Sequence, residues 1–253
     1  MHAIVARQSG GPEVLELAET GRPAPGPGQL LVRVAAAGMN FIDTYERSGV
    51  YKVRYPFTPG SEAAGTVEEI GEGVTGFTPG DRVATAEGIS CYAGYALVDE
   101  AKALPVPDGV DDFTAAALPL QGMTAHYLIN STFRVEPGHT VLLHAGAGGV
   151  GLLLIQLLKA KGAQVITTVS TPEKEQLARE AGADHVLRYE GFPARVRELR
   201  HHSGMPAGSR KAQAFEFTLK RRGWFRAIPA WQSPGTAKIP CCRSQPSTTR
   251  CCP

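Results

Sequence analysis

Long apolar runs are the first thing missing from this 253-residue sequence. No stretch approaches the roughly 18 consecutive apolar residues that mark a membrane-spanning helix. The N-terminal MHAIVARQSGGPEVLEL has no basic region followed by an unbroken apolar stretch of about 7–15 residues, so it does not read as a secretory signal. The expected location is therefore the cytoplasm. A strong charge of one sign is missing as well. The formal net charge is +2, which excludes the electrostatic footprint of a nucleic-acid binder. Cysteine is scarce in the body of the chain: Cys91 stands alone, while Cys241, Cys242, Cys251 and Cys252 cluster near the end. Clustered pairs without a signal peptide do not make a disulfide framework. The seven histidines are scattered except for His201 and His202, so no ligand spacing for a metal is visible.

What remains falls into three textures. From Met1 to about residue 110, short runs such as LLVRVAAAG, GTVEEIG, DRVATA and YALVDE alternate with Gly/Pro punctuation at PAPGPG (23–28), TPGSEAAG (58–65) and PVPDGV (105–110). That pattern predicts a compact, barrel-like domain rich in β-strands. From 111 to 199 the period changes. DDFTAAALPLQGMTAHYLI has helical spacing, with Asp111 or Asp112 as N-cap. There follow a strand at 141–145, a glycine cluster, a helix ended by Gly162 and a strand at 164–170. A second helix is capped by Thr171, opened by Pro172 and closed by Gly182, and a strand at 184–189 completes the series. This β-α-β-α-β order predicts a parallel, doubly wound sheet. From about residue 200 the texture changes again. The last 54 residues hold ten of the 26 Lys/Arg but one of the 24 acids, Glu216, and contain no Val or Asp. They are read as an irregular basic tail.

The strongest chemical signal is HAGAGGVG, residues 144–151, which contains G-x-G-x-x-G at Gly146, Gly148 and Gly151 with Gly149 and Val150 between them. The first glycine permits a tight turn, the second a close approach to a pyrophosphate, the third helix packing on the strand. The motif follows a predicted strand and opens a predicted helix, the context that separates a dinucleotide site from a glycine-rich turn. An NAD-specific site wants a carboxylate at the end of the next strand. Here Ser170 and Thr171 stand there, with Lys174 one turn on. A hydroxyl and a cation suit a 2′-phosphate, so NADPH is the expected cofactor.

GPEVL, PGPGQLLVRVAAAGMNFIDTYERSGVY, PFTPGSEAAGTVEEIGEGVTGFTPGDRV, LPLQGMTAHYL and HAGAGGVG resemble successive blocks of the quinone oxidoreductase branch of the medium-chain dehydrogenase/reductase superfamily, the group that includes zeta-crystallin. The resemblance covers residues 1 to about 199. It implies a GroES-like catalytic domain over 1–110 and a Rossmann domain whose first half is 111–199. Zinc-dependent relatives carry Cys at the position of Asn40 and His at that of Ser61, so no metal is expected. Carried over residue by residue, Asn40, Asp43 and Tyr45 would line the nicotinamide and substrate pocket, with Phe41 and Thr124 near the cofactor. Ser170, Lys174 and Tyr189 would hold the adenosine 2′-phosphate. Other readings stand beside these: Asp43 can cap a helix, Tyr45 can be a packed aromatic, Glu62 can organise the PGSEAAG turn, and Cys91 can be packing.

The implied function is metal-free and flavin-free transfer from NADPH to a quinone, with an enone or alkenal reductase as the alternative. The family pattern stops at about residue 200. That shift resembles out-of-frame translation or an alternative end; a basic extension with its own role is the other reading. A catalytically silent nucleotide-binding or interaction protein is the corresponding functional alternative. Homodimerisation is open if the fold is completed.

Overall fold

A computed structural model describes residues 1–202, 214–219 and 225–229. Two compact units make up the chain. The first comprises Met1–Arg134 and Gly148–Leu157, the second Val135–Ala147 and the described residues from Leu158 onward.

In the first unit, β1 (His2–Ala6) and β2 (Leu15–Glu19) pair antiparallel. Then come β3 (Gln29–Gly38), α1 (Phe41–Arg47), β4 (Glu62–Ile70), β5 (Arg82–Thr85), β6 (Tyr95–Asp99) and β7 (Leu104–Pro105). The last five strands form an antiparallel sheet in the order β6-β3-β4-β5-β7. The period-2 pattern read from the sequence is what its core uses. Leu30 and Val32 from β3 meet Val67, Val83 and Val98 from three other strands, all at 2% exposure or less.

Residues 111–129, expected as one helix, form two: α2 (Asp112–Ala117) and α3 (Pro119–Tyr127). Pro119 is the cause. It has no N–H to continue α2, but its fixed φ suits the first position of a new helix. Asp111 caps α2, accepting the Thr114 N–H at 2.9 Å. Ala115 and Ala116 of α2 pack on Ala64 and Ala84 of the sheet, so α2 belongs to the first unit although it lies beyond the expected boundary at 110.

Next come β8 (Thr140–His144), α4 (Gly149–Ala160), β9 (Gln164–Val169), α5 (Pro172–Glu180), β10 (His185–Arg188), α6 (Phe192–His202), β11 (Ala214–Leu219) and β12 (Phe225–Pro229). The order is β10-β9-β8-β11-β12, with the first four parallel and β12 antiparallel to β11. Thr171 caps α5 through the Lys174 N–H, and Pro172 opens it. At its end Gly182 takes φ +105, its N–H bonds to the Arg179 carbonyl and that of Ala183 to Ala178. This is the double closure that a left-handed glycine permits. Gly162 closes α4 with the equivalent bonds to Lys159 and Leu158.

The expectation of an irregular tail needs correction at two places. AFEFTL and FRAIP are strands, and β11 pairs with β8 from Ala214↔Thr140 to Phe217↔Leu143. Without it the free N–H and C=O groups on that side of β8 would lack a partner, a strong local demand for a strand. The period of AFEFTL was too short to read alone. β11 occupies the fourth-strand place of a doubly wound 3-2-1-4 order, so the parallel sheet is open but extends past its first half. Residues 200–202 end α6, and apart from β11 and β12 the remainder of the 200–253 segment lies outside the described residues.

Asp184, between α5 and β10, ties the second unit together. Its carboxylate accepts from the Val165 N–H at 2.7 Å and from Lys159 Nζ at 2.8 Å. Partial burial acts to raise its carboxyl, but the Lys159 and Val165 hydrogen bonds and the Lys159 and His185 charges outweigh that and hold it below the ordinary value. A depressed carboxyl stabilises the fold above its unfolded value of about 3.9, and that stabilisation disappears as pH falls through the folded value. Asp184→Asn is therefore expected to lower unfolding free energy by about 1 kcal/mol at pH 7, after allowing for solvent screening. In denaturant titrations at several pH values the gap between the two proteins should narrow as pH falls below the unfolded value of about 3.9; a gap independent of pH would contradict this.

Candidate functional site

The glycine loop leaves β8 at His144 and enters α4 at Gly149. Gly146 and Gly151 are buried, Val150 is half-buried, and Gly148 and Gly149 are exposed. Among the described residues, Gly146 donates its N–H to the Thr168 carbonyl at 3.2 Å, which holds the turn against β9. At Gly149 a Cβ would lie 2.0 Å from Gln121 Oε1, so a side chain here would push the Gln121 amide aside. The 12-residue α4 starts here, with its first N–H groups unsatisfied within the helix.

Gln121 and Gly149 both belong to the first unit. The Gln121 Nε2 donates to Asn40 Oδ1 at 3.4 Å. Asn40 stands at the N-cap of α1, and its Nδ2 donates to Glu62 Oε2 at 2.6 Å. The other oxygen, Glu62 Oε1, accepts the Leu120 N–H at 2.8 Å. Leu120 sits in the first turn of α3, where backbone donors lack helical partners. Glu62, at 0% exposure, thus caps α3 from the first residue of β4 while holding Asn40. Burial pushes its carboxyl above the ordinary value; the hydrogen bonds from Leu120 and Asn40 oppose that, and the nearby Asp43 charge adds to it.

Asp43 is buried in the first turn of α1. Its Oδ2 accepts from the Asn40 N–H at 2.8 Å and from the Tyr92 hydroxyl at 2.7 Å. The Oδ1 atom is buried without a hydrogen-bond partner among the described residues. The geometry is that of a helix cap. Burial, then the hydrogen bond to Asp43, pushes the Tyr92 hydroxyl well above its ordinary value. Tyr45, half-buried, packs between Phe41 and Tyr51 at ring distances of 5.8 and 5.5 Å. Phe41 is 76% exposed. Thr124 is half-buried on α3, one turn beyond Leu120 and Gln121. A cavity of about 550 Å³ opens in the same unit, with Glu46, Phe57, Ser61, Ile89 and Ser90 among its walls.

At the carboxyl end of β9, Ser170 and Lys174 are both exposed, and Lys174 Nζ donates to Ser170 Oγ at 3.3 Å. Tyr189 follows Arg188, which is paired with Val169, so it stands at the neighbouring strand end. The Tyr189 ring stacks with His144 at 6.5 Å. No group of three His, Cys, Asp or Glu side chains comes together as metal ligands among the described residues. Cys91 is fully buried; burial first, then the Asp43 and Glu62 charges, push its thiol up to about 12, which fits packing and not nucleophilic chemistry.

The sequence reading did not single out Gln121 or Tyr92 and gave Glu62 only a turn. A signal existed for Glu62: it is a lone acid ahead of the small apolar run AAG, where an unexposed carboxylate needs specific partners. For Gln121 and Tyr92 the partners lie 81 and 49 residues away in sequence, and no local pattern marks them.

Residues 26–130 match the alcohol dehydrogenase GroES-like domain, and residues 149–208 match the zinc-binding dehydrogenase domain. A quinone oxidoreductase of Pseudomonas aeruginosa is 48% identical over 194 residues, 75% of this chain and 60% of that protein. The chain thus spans about three fifths of that relative's length. A mycobacterial protein solved in complex with NADPH superposes with a TM-score of 0.77 at 48% identity, over 79% of this chain and 64% of that one. Quinone oxidoreductase 1 of Escherichia coli is 37% identical over 236 residues, 92% of this chain and 70% of that protein. The chain belongs to the quinone oxidoreductase family of the medium-chain dehydrogenase/reductase superfamily.

Proposed function

We propose that this protein reduces a quinone with NADPH, without metal or flavin. The observation that carries the reading is the contact chain within the first unit from Asn40 through Gln121 to Gly149 at the start of α4. The free N–H groups at the start of α4 fit the pyrophosphate of a dinucleotide. The Ser170–Lys174 pair fits a 2′-phosphate, and Tyr189 fits the adjoining adenosine. Thr124 and Phe41 would face the nicotinamide end. When bound, NADPH supplies a hydride, two electrons and one proton's worth of hydrogen, and the quinone takes one further proton from solvent to become a hydroquinone.

The chain's own part is to orient and to stabilise charge. Tyr45 or Asn40 would donate to the oxygen that becomes anionic as the ring is reduced. Asp43 contributes by holding the start of α1, where both stand.

Lys174→Ala is expected to raise KM for NADPH about tenfold through loss of one charge-assisted contact, with KM for NADH changed little. Steady-state assays with both cofactors read this out, and an equal effect on the two would remove Lys174 from the phosphate site. Tyr45→Phe is expected to lower kcat by about tenfold or more with 1,4-benzoquinone. Unchanged turnover would withdraw Tyr45 as the donor. The same assay run with an alkenal separates quinone from enone reduction: the proposal expects faster NADPH consumption with the quinone.

A further inference from the structure

Hydrogen-bond polarity along the contact chain is dictated from one end. An amide side chain can be turned over with little change of shape, so an Asn–Gln pair has two orientations that differ only in which atoms donate. The Leu120 N–H is a backbone donor and cannot turn over; it claims Glu62 Oε1. An ionised carboxylate accepts only, so its Oε2 requires an N–H from Asn40, which turns Nδ2 toward Glu62 and Oδ1 toward Gln121. Gln121 must then offer Nε2 to Asn40, and its Oε1 is the atom left against Gly149.

We propose that Glu62 is a positioning residue that fixes the amide orientations of Asn40 and Gln121, and so decides which of their atoms meet a dinucleotide at Gly149. This rests on the reading of the site as a dinucleotide site only for its catalytic consequence; the orientation itself follows from the contacts. A neutral group at position 62 reverses the chain. A Gln there gives its oxygen to Leu120 and its NH₂ to Asn40. Asn40 then presents Oδ1 to position 62 and Nδ2 to Gln121, and Gln121 turns its own NH₂ toward Gly149. Protonation of Glu62 does the same.

The groups that face Glu62 are Asp43 on α1 and Cys91 and Tyr92 before β6. The thiol and the phenol stay protonated through neutral pH because both are pushed up. Asp43 remains in Glu62→Gln, so a titration lost in that variant belongs to Glu62. The test follows the side-chain amide signals of Asn40 and Gln121 by ¹⁵N NMR in the full chain, from pH 7 downward. In the wild type both signals should move together in one step, as Glu62 takes up a proton. In E62Q both should sit at the acid-form positions at every pH. E62Q signals that stay at the wild-type neutral positions, or that still titrate, would overturn the proposal. Should E62Q fail to fold by circular dichroism, the wild-type titration decides alone, and independent or absent movement of the two signals overturns it. In the assay, E62Q should lose roughly tenfold or more in kcat and should also shift KM for NADPH, because the Gln121 atom turned toward the dinucleotide changes. A kcat equal to wild type would overturn the catalytic consequence. Absence of turnover in the wild type would instead sink the proposed function and leave the NMR result to judge Glu62.

Discussion

The carboxylate of Glu62 is buried, and among the described residues it makes no salt bridge; N–H groups from two directions answer its charge. Taking a carboxylate out of water costs several kcal/mol unless its oxygens are hydrogen-bonded. Both oxygens here are committed, one to the start of α3 and one to the cap of α1. Removing either partner would leave part of a buried charge unanswered. The arrangement therefore holds β4, α1 and α3 in one geometry.

Pro119 makes that arrangement available. By ending α2 and restarting the helix, it creates a new first turn with free donors in the middle of what would otherwise be a continuous helix. Leu120 then has an N–H that needs an acceptor, and β4 supplies one. The same restart aims Gln121 at Asn40 and at Gly149. On the other side of α1, Asp43 and Tyr92 fix the backbone of Asn40. Asn40 is thus held by its main chain from one direction and by its side chain from another. Such support suits the role proposed for Asn40, donation to a developing charge without reorganisation.

Much of this was legible from local chemistry. Period-2 alternation marked the strands that supply Leu30, Val32 and Val67, and cap residues marked both ends of α5 at Thr171 and Gly182. The glycine loop was readable because its strand-before, helix-after context is itself local. The break at Pro119 was less visible, since the apolar spacing runs through it without interruption. β11 was missed for a different reason: six residues carry too little period to trust, and their strand state depends on the waiting side of β8. The clamp around Glu62 was invisible because its partners are 22 and 58 residues away, and tertiary geometry alone brings them together. Asp43 and Tyr45 were found by position in the family pattern; the structure gives Asp43 a capping geometry and Tyr45 an aromatic setting.

The proposed function requires that this chain bind a phosphorylated dinucleotide at the glycine loop. Calorimetric titration of the full chain with NADPH, and separately with NADH, tests it most directly. Saturable binding of one NADPH per chain, with NADH at least about tenfold weaker, is the result the Ser170–Lys174 pair predicts. No heat with either cofactor would contradict it.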